Sequence, residues 1–244
     1  MCCTDQLIEK SSPLDGIYYV LDGWEKFEEE NYDRAHDLFS TVLLDNATEY
    51  FPDAYVGLAW NSIYKANTLQ GVSNWSDRQY ERDMSDEYFV LADEYINADQ
   101  VICPTINVDE NGNFVDLECS TLCENLLAGK TYNSSYLALE ASRQFYDNGL
   151  DTTNWNTMED YSLSTIELSD TLFLCNPQYV FDHDTTVNYN SLHFLRAQTY
   201  FRLGEFDATE SELLDIDSLY LDDLDCNLST DTIFECLNSI ELEE

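Results

Sequence analysis

A short pattern of large and small side chains occurs twice near the amino end of the chain, 36 residues apart. Residues 19–27 read YVLDGWEKF, and residues 55–63 read YVGLAWNSI. In each copy a small residue, Gly23 or Ala59, lies between bulky residues at the spacing of helical turns. A helix that packs tightly against its neighbour needs such a small residue at the contact. The pattern therefore predicts helices that repeat along the chain.

A third copy lies near the carboxyl end, in the segment SLHFLRAQTYFRLGEFDATESELL. There Ala197 takes the place of Gly23, and it follows Ala59 by 138 residues. Two apparent insertions account for about 34 of these residues, which leaves three periods of the roughly 34 residues typical of a two-helix repeat. We therefore expect about five helix pairs in a single domain over residues 1–244.

These residues resemble the signature of the tetratricopeptide repeat (TPR) family, as found in exported bacterial TPR proteins and lipoproteins. The segment DAYVGLAW is very like the start of a second repeat. The resemblance implies an all-α fold, a right-handed superhelical stack (α-solenoid) of about five antiparallel helix pairs. It also implies a set of helix-packing residues: Tyr19, Gly23, Phe27, Tyr32, Ala35, Phe39, Tyr55, Ala59, Ile63, Ala197, Phe201 and Phe206.

Two segments interrupt the predicted helices. Residues 67–84 are polar and contain Gly71, which predicts an extended loop. Residues 104–118 alternate apolar and polar side chains around Asn111-Gly112. Because a type I′ turn needs positive φ at both central residues, this dipeptide predicts an inserted β-hairpin.

The two ends of the chain are expected to lie outside the repeats. Residues 1–14 would form an amino-terminal extension, and residues 229–241 a terminal helix. The apolar stripe of that helix either covers the last helix pair or docks on another subunit. The stripe comprises Ile233, Phe234, Leu237 and Ile240.

The charge balance excludes several classes of partner. Ten lysines and arginines stand against 49 aspartates and glutamates, a formal net charge of −39. Such a surface repels nucleic acids and anionic lipids. Two explanations remain for the charge: it serves solubility or tolerance of salt, or divalent cations or a basic partner neutralise part of it. The divalent cations would include weakly bound Ca²⁺. No run of about 18 apolar residues predicts a transmembrane span.

Eight cysteines indicate an oxidising compartment, with reduced, buried thiols as the alternative. Across the predicted hairpin, Cys103 would pair with Cys119, or with Cys123 one helical turn further on. Cys226 and Cys236 would tie down the carboxyl-terminal helix. No partner for Cys175 is evident from the sequence.

The sequence also contains candidate modification sites. Cys2 or Cys3 would be the lipidated residue of a mature lipoprotein. Four N-x-S/T triplets are glycosylation candidates, at Asn46, Asn74, Asn133 and Asn227.

The residue patterns of common enzymes and metal sites are missing. The three histidines are His36, His183 and His193, and ten residues between the last two is no recognised ligand spacing. The segment 109–113 lacks the spacing of an EF-hand loop, and no nucleophile with an adjacent base is evident. We therefore expect neither catalysis nor a cofactor nor a structural metal.

The sequence thus predicts a non-catalytic structural or adaptor protein, exported to the cell surface or the extracellular space. It would assemble with a protein partner or with copies of itself, head to tail, into a fibre. The alternative is a lipid-anchored protein of the periplasm or envelope that recruits a soluble partner through the groove of the stack. A carbohydrate-binding surface that uses Trp75 and Trp155 lies between these classes.

Overall fold

A computed structural model of the chain describes residues 13–44, 48–98, 103, 119–223 and 237. Within these ranges the regular elements are helices and no strand occurs, which confirms the all-α class. The α-helices are α1 (Pro13–Glu28), α2 (Tyr32–Leu44), α3 (Phe51–Thr68), α4 (Trp75–Ala98), α5 (Thr121–Asp147), α6 (Thr152–Cys175), α7 (Tyr189–Leu203), α8 (Phe206–Asp215) and α9 (Ser218–Asp223). Short 3₁₀ turns precede α3 and α4, at Thr48–Tyr50 and Val72–Asn74.

Consecutive helices form pairs: α1 with α2, α3 with α4, α5 with α6, and α7 with α8. We refer to the first helix of each pair as an A helix and the second as a B helix. Each A helix after the first also contacts a helix of the preceding pair. One apolar core runs through the first three pairs, and a smaller one joins α7, α8 and α9. Leu237 is helical and buried in that smaller core; the other residues of the predicted terminal helix lie outside the described ranges.

The ring of Phe39, on α2, occupies the contact between the first two pairs. A Cβ atom added to Gly23 of α1 would lie 2.6 Å from this ring, and one added to Gly57 of α3 would lie 2.5 Å from it. Real Cβ atoms do not approach so closely, so only glycine fits at these two positions. Phe89 of α4 packs in the same way on Gly129 of α5. Aromatic residues of B helices thus fit against glycines of A helices.

Most of the predicted packing residues lie in the core. Gly23, Ala59 and Ala197 are buried. So are Phe27, Ala35, Phe39 and Ile63, while Tyr19, Tyr32, Tyr55 and Phe201 are partly buried. Phe206 was predicted wrongly: it is 61% exposed, because it is the first residue of α8 and lies at the edge of the bundle.

The predicted number of repeats does not match the spacing of the helices. Among the described residues, one pair, α5 and α6, lies between the second pair and the pair that contains Ala197. Helices α4, α5 and α6 are 24, 27 and 24 residues long. These long helices occupy the length that the sequence analysis assigned to a further pair. The described ranges therefore hold four pairs and α9.

The predicted loop over residues 67–84 is also wrong. The connection between α3 and α4 is short, and residues 75–84 belong to α4. Two polar residues of this stretch, Arg78 and Arg82, are buried against neighbouring helices. The polarity of the segment was read as exposure, although its arginines have partners inside the bundle. The predicted hairpin over 104–118 lies outside the described residues, and α1 begins at Pro13, inside the predicted extension.

Two disulfides cross-link the amino end of α5. Cys103 is bonded to Cys123, with 5.4 Å between the Cα atoms, and Cys119 to Cys175, with 5.5 Å. The alternative partner of Cys103 is thus the observed one, and the pairing of Cys103 with Cys119 is wrong. Closing loops of 20 and 56 residues stabilises the fold by about 3 and about 4 kcal/mol on the chain-entropy estimate.

We predict that Gly23→Ala lowers the free energy of unfolding by about 1–2 kcal/mol. Overpacking against the Phe39 ring costs about 1–3 kcal/mol, and the better helix propensity of alanine returns up to about 1 kcal/mol. Urea unfolding followed by circular dichroism measures the change. In a Phe39→Leu background the same substitution should be neutral or stabilising, since the smaller side chain leaves room. An equal cost in both backgrounds would contradict this account of the contact.

Candidate functional site

A non-helical segment between α6 and α7, residues 176–188, lies across the A helices of the first three pairs. We call it the strap. Its first contacts are with α5: the Asn176 amide donates a hydrogen bond to Glu124 at 2.9 Å. The buried Tyr179 hydroxyl donates to the Asn125 side chain, also at 2.9 Å. The strap therefore begins over α5, close to the disulfide at Cys175.

The middle of the strap lies on α3. The Phe181 ring is fully buried and stacks on Trp60, with 4.3 Å between ring centroids and 18° between the planes. The indole of Trp60 donates a hydrogen bond to the backbone oxygen of Asn125 at 2.9 Å, which fixes the orientation of the ring. Asp184 accepts a short hydrogen bond from the Tyr64 hydroxyl. Both an apolar and a polar contact thus hold the strap to this helix.

The strap ends its crossing on α1. The His183 ring stacks on Trp24 with a centroid distance of 4.0 Å and an angle of 2°. Its Nδ1 atom is 2.8 Å from a carboxylate oxygen of Glu28. The contacts along the strap therefore run from α5 to α3 and α1, and Asp184, after His183, contacts α3 again. The chain itself covers this face of its first three A helices.

Turn-forming side chains give the strap its local shape. The Asp184 carboxylate accepts hydrogen bonds from the backbone and the hydroxyl of Thr186, at 2.9 and 2.7 Å. The Phe181 amide donates to Val187 at 2.9 Å, next to an antiparallel bridge between Val180 and Asn188. Asn188 then caps the start of α7. The Asp, Asn and Thr residues thus form turns, while Tyr179, Phe181 and Val187 between them are buried.

A cleft of about 500 Å³ lies beside the strap. Its walls carry aromatic rings, carboxylates and hydroxyls: Phe27, Glu28, Glu30, Tyr32, Tyr64, Asp182, His183, Asp184, Thr185 and Thr186. Burial raises the pKa of the Tyr64 hydroxyl, and the hydrogen bond to Asp184 raises it further. Burial also raises the pKa of Tyr32, aided by the charges of Glu30 and Asp184. Both phenols therefore favour the protonated form, and the Tyr64 hydroxyl acts as a donor to Asp184.

The histidines lie in separate surroundings. His183 is in the strap, whereas His193, on α7, is buried beside Glu212 of α8 with a closest distance of 2.6 Å. His36 lies half-buried on α2. In the part of the chain that the structure describes, no three His, Cys, Asp or Glu side chains come together in a way that could hold a metal ion.

The cationic side chains form contacts with other residues of the same chain. Nine of the ten lysines and arginines lie in the described ranges. Seven of them pair with carboxylates: Lys26, Arg34, Lys65, Arg78, Lys130, Arg143 and Arg196. The other two are engaged with uncharged groups. Arg82 donates to the Asn67 side chain at 2.5 Å, and Arg202 to the hydroxyls of Ser135 and Thr199 at 3.4 Å.

The ion pairs of Arg78 and Arg196 include buried side chains. Arg78 and Glu140 are 2.9 Å apart, and both side chains are buried. Arg196 pairs with Asp170 at 2.6 Å and with Glu212 at 2.8 Å, which joins α6, α7 and α8. Burial lowers the pKa of Arg82 to about 10. Three of the nine described cations, Arg78, Arg82 and Arg196, are buried, and the outer surface carries mainly carboxylates.

The structure places the modification candidates unevenly. Asn133 is fully buried, and its amide donates hydrogen bonds to the Arg82 backbone at 3.0 Å and to Asp86 at 2.7 Å. A glycan at Asn133 is therefore incompatible with the folded chain. Asn74 is partly exposed in a turn. The remaining candidates lie outside the described residues: Asn46, Asn227, Cys2, Cys3, Cys226 and Cys236.

Comparison of the chain with protein family models, with curated proteins and with solved structures found no match. The resemblance to TPR proteins therefore rests on the residue pattern alone. No helix within the described ranges is both long enough and apolar enough to cross a lipid bilayer.

We predict that Phe181→Ala detaches the strap from α3. The lost contact with Trp60 should lower the free energy of unfolding by about 3–5 kcal/mol and shift tryptophan emission to longer wavelength. Val180→Ala is the matched control, because the Val180 side chain, next to Phe181 in sequence, is 47% exposed. We expect this substitution to change the free energy of unfolding by less than about 1 kcal/mol. Equal effects of the two substitutions would show that the strap is not held by this stacking contact.

We predict that Glu212→Gln destabilises the protein by about 3 kcal/mol near neutral pH, with less effect in acid. Burial alone would raise the pKa of Glu212, but hydrogen bonds from His193 and Arg196 outweigh it, and the pKa lies below the usual value of 4.5. The carboxylate therefore contributes stability above about pH 4.5, which is lost as the pH falls through its lower folded value. Unfolding titrations from pH 7 to pH 3 measure the difference between variant and parent. Glu210→Gln, at an exposed site on the same helix, should give a small difference.

Proposed function

We propose that this chain is a non-catalytic, exported binding protein that assembles with another protein through its acidic outer surface. The observation that carries the proposal is the internal use of the cations. Seven of the nine described lysines and arginines already pair with the protein's own carboxylates, while the whole chain contains 49 acidic residues. A surface of one sign steers an oppositely charged partner toward it. The partner would therefore be basic.

The fold supports a scaffold role. We propose that the four described helix pairs form a right-handed TPR-like stack, with a face of A helices on one side and B helices on the other. We place the concave groove of this stack on the A-helix side. Here the strap fills that side over α1, α3 and α5. The alternative function, recruitment of a partner through the groove, would require the strap to leave, so we place the binding surface elsewhere on the stack.

An exported location is supported by the two disulfides, since such bonds persist in oxidising compartments. Both lie near the start of the strap and would hold this region in place where no reductant cleaves them. The cell surface and the extracellular space are the proposed locations, with the envelope as the alternative. Lipidation at Cys2 or Cys3 would select the envelope.

Self-assembly into a fibre is the second form of the proposal. Copies with a net charge of −39 repel each other, so a fibre would need divalent cations such as Ca²⁺ at the surface carboxylates. Negative-stain electron microscopy with and without calcium distinguishes the two forms. Fibres that appear only with calcium would favour self-assembly, and single particles in both conditions would favour a separate partner.

We predict that a zero-length carbodiimide cross-linker, applied to intact cells that produce the protein, joins its carboxylates to lysines of another protein. The reagent links a carboxylate to an amine only where the two are in contact, so it reports the proposed complementarity directly. Mass spectrometry of the linked peptides identifies the sites. Expected are recurrent links from exposed acids of the stack to one partner. Links confined to copies of this chain, at native abundance, would refute the form of the proposal with a separate partner.

A further inference from the structure

The α5–α6 hairpin extends beyond the neighbouring helices. Glu140 of α5 still pairs with Arg78 of α4, and Ala141 is buried, but no residue from 142 to 157 is buried. Six residues of α5 follow Ala141, a length of about 9 Å at 1.5 Å per residue. The turn between α5 and α6 therefore projects from the edge of the bundle. We call residues 142–157 the knob.

The knob carries large apolar side chains that are exposed. Tyr146 is 67% exposed, Leu150 60% and Trp155 38%. The partly exposed Phe145 connects the two aromatic residues: its ring centroid lies 5.2 Å from that of Tyr146 and 5.2 Å from that of Trp155. Scattered apolar residues on a surface need no explanation, but aromatic rings in mutual contact at a projecting tip are typical of interaction sites.

The backbone at Leu150 gives independent support. This residue has a φ of 69°, directly after Gly149 with a φ of 73°. The left-handed conformation costs about 1–2 kcal/mol for a residue with a Cβ atom, whereas glycine and asparagine adopt it readily. The Leu150 amide donates to the Phe145 backbone oxygen at 2.8 Å, a bond that any of these residues would make. Folding therefore does not account for an exposed leucine here.

The charges around the knob indicate what it binds. Asp147 and Asp151 flank the turn, and Glu159 and Asp160 lie exposed just beyond it. The one nearby cation of the knob, Arg143, is 3.8 Å from Glu140. A second copy of this chain would offer the same acidic surface, because its described cations are already engaged internally. A basic surface with an apolar recess matches both the charge and the shape of the knob.

We propose that the knob is the docking element of this protein and that it inserts Leu150 and its neighbouring rings into an apolar pocket on a basic protein. The proposal rests on the proposed function and deepens it by naming the contact and the chemistry of the partner. The acidic residues steer the encounter, and the apolar rings supply most of the affinity.

The test uses the full-length, oxidised protein and a displayed library of random peptides as the probe. Expected are enriched peptides that combine lysine or arginine with aromatic or aliphatic residues. Binding of these peptides should weaken about tenfold or more for Leu150→Asn combined with Trp155→Ser, as expected from the loss of one buried apolar side chain or more. Leu219→Asn is the control, since Leu219 is as exposed but lies on α9, and it should leave binding unchanged.

Leu150→Asn keeps the test free of folding artefacts, because asparagine tolerates the left-handed backbone and the midpoint of unfolding should not fall. If the peptides bind the knob variant with the same affinity as the parent, the knob is not the docking element, while the proposed function is unaffected. Acidic or neutral peptides, or no enrichment, would also overturn it. So would a concentration-dependent dimer in sedimentation velocity that Leu150→Asn abolishes, which would make a second copy the occupant. Failure of the proposed function would be seen separately, in the cross-linking experiment, as the absence of links to any partner protein.

Discussion

The close approach of α1, α2 and α3 around the Phe39 ring is the constraint from which the remaining architecture follows. Two glycines, Gly23 and Gly57, let one aromatic ring pack directly on both A helices. The same approach places Trp24 and Trp60 where the strap can stack His183 and Phe181 on them. A wider separation of the helices would move these two indoles apart. The covered A-helix face is therefore a consequence of the small residues at the helix contacts.

The scarcity of cations shapes the electrostatics of the whole molecule. A chain with a net charge of −39 repels itself, and the buried pairs of Arg78 and Arg196 draw carboxylates from different helices together. Buried pairs do little for net stability, but removal of one partner leaves an uncompensated charge. The disulfides add stability that does not depend on charge, at the start of α5, where the strap begins. Covalent links and directed ion pairs together offset the repulsion that the acidic surface creates.

The sequence predicted the parts of the fold that depend on local periodicity. Helical spacing of small and bulky residues found Gly23, Ala59 and Ala197, all of which are buried. The prediction failed where polar residues are buried. The segment with Arg78 and Arg82 was predicted to be a loop, because the sequence does not show that Glu140 and Asn67 lie opposite these arginines. The contacts of the strap could not be predicted from the sequence for a related reason. Its apolar residues are separated by turn-forming Asp, Asn and Thr, and their partners lie more than a hundred residues away, on α1 and α3.

Because the strap covers α1, α3 and α5, we propose that contacts with a partner are made at the edges of the helix bundle. The strap contacts α1, α3 and α5, and a disulfide joins Cys175 next to its start to Cys119, so the α5–α6 hairpin extends from a cross-linked part of the bundle. Rigidity matters for binding because a pre-organised apolar tip loses little entropy when it enters a pocket. Long-range attraction by carboxylates and short-range burial of a few rings act at different stages, the first on the rate of encounter and the second on the lifetime of the complex. The strained leucine at the tip is consistent with this division, since its backbone cost is borne before any partner arrives.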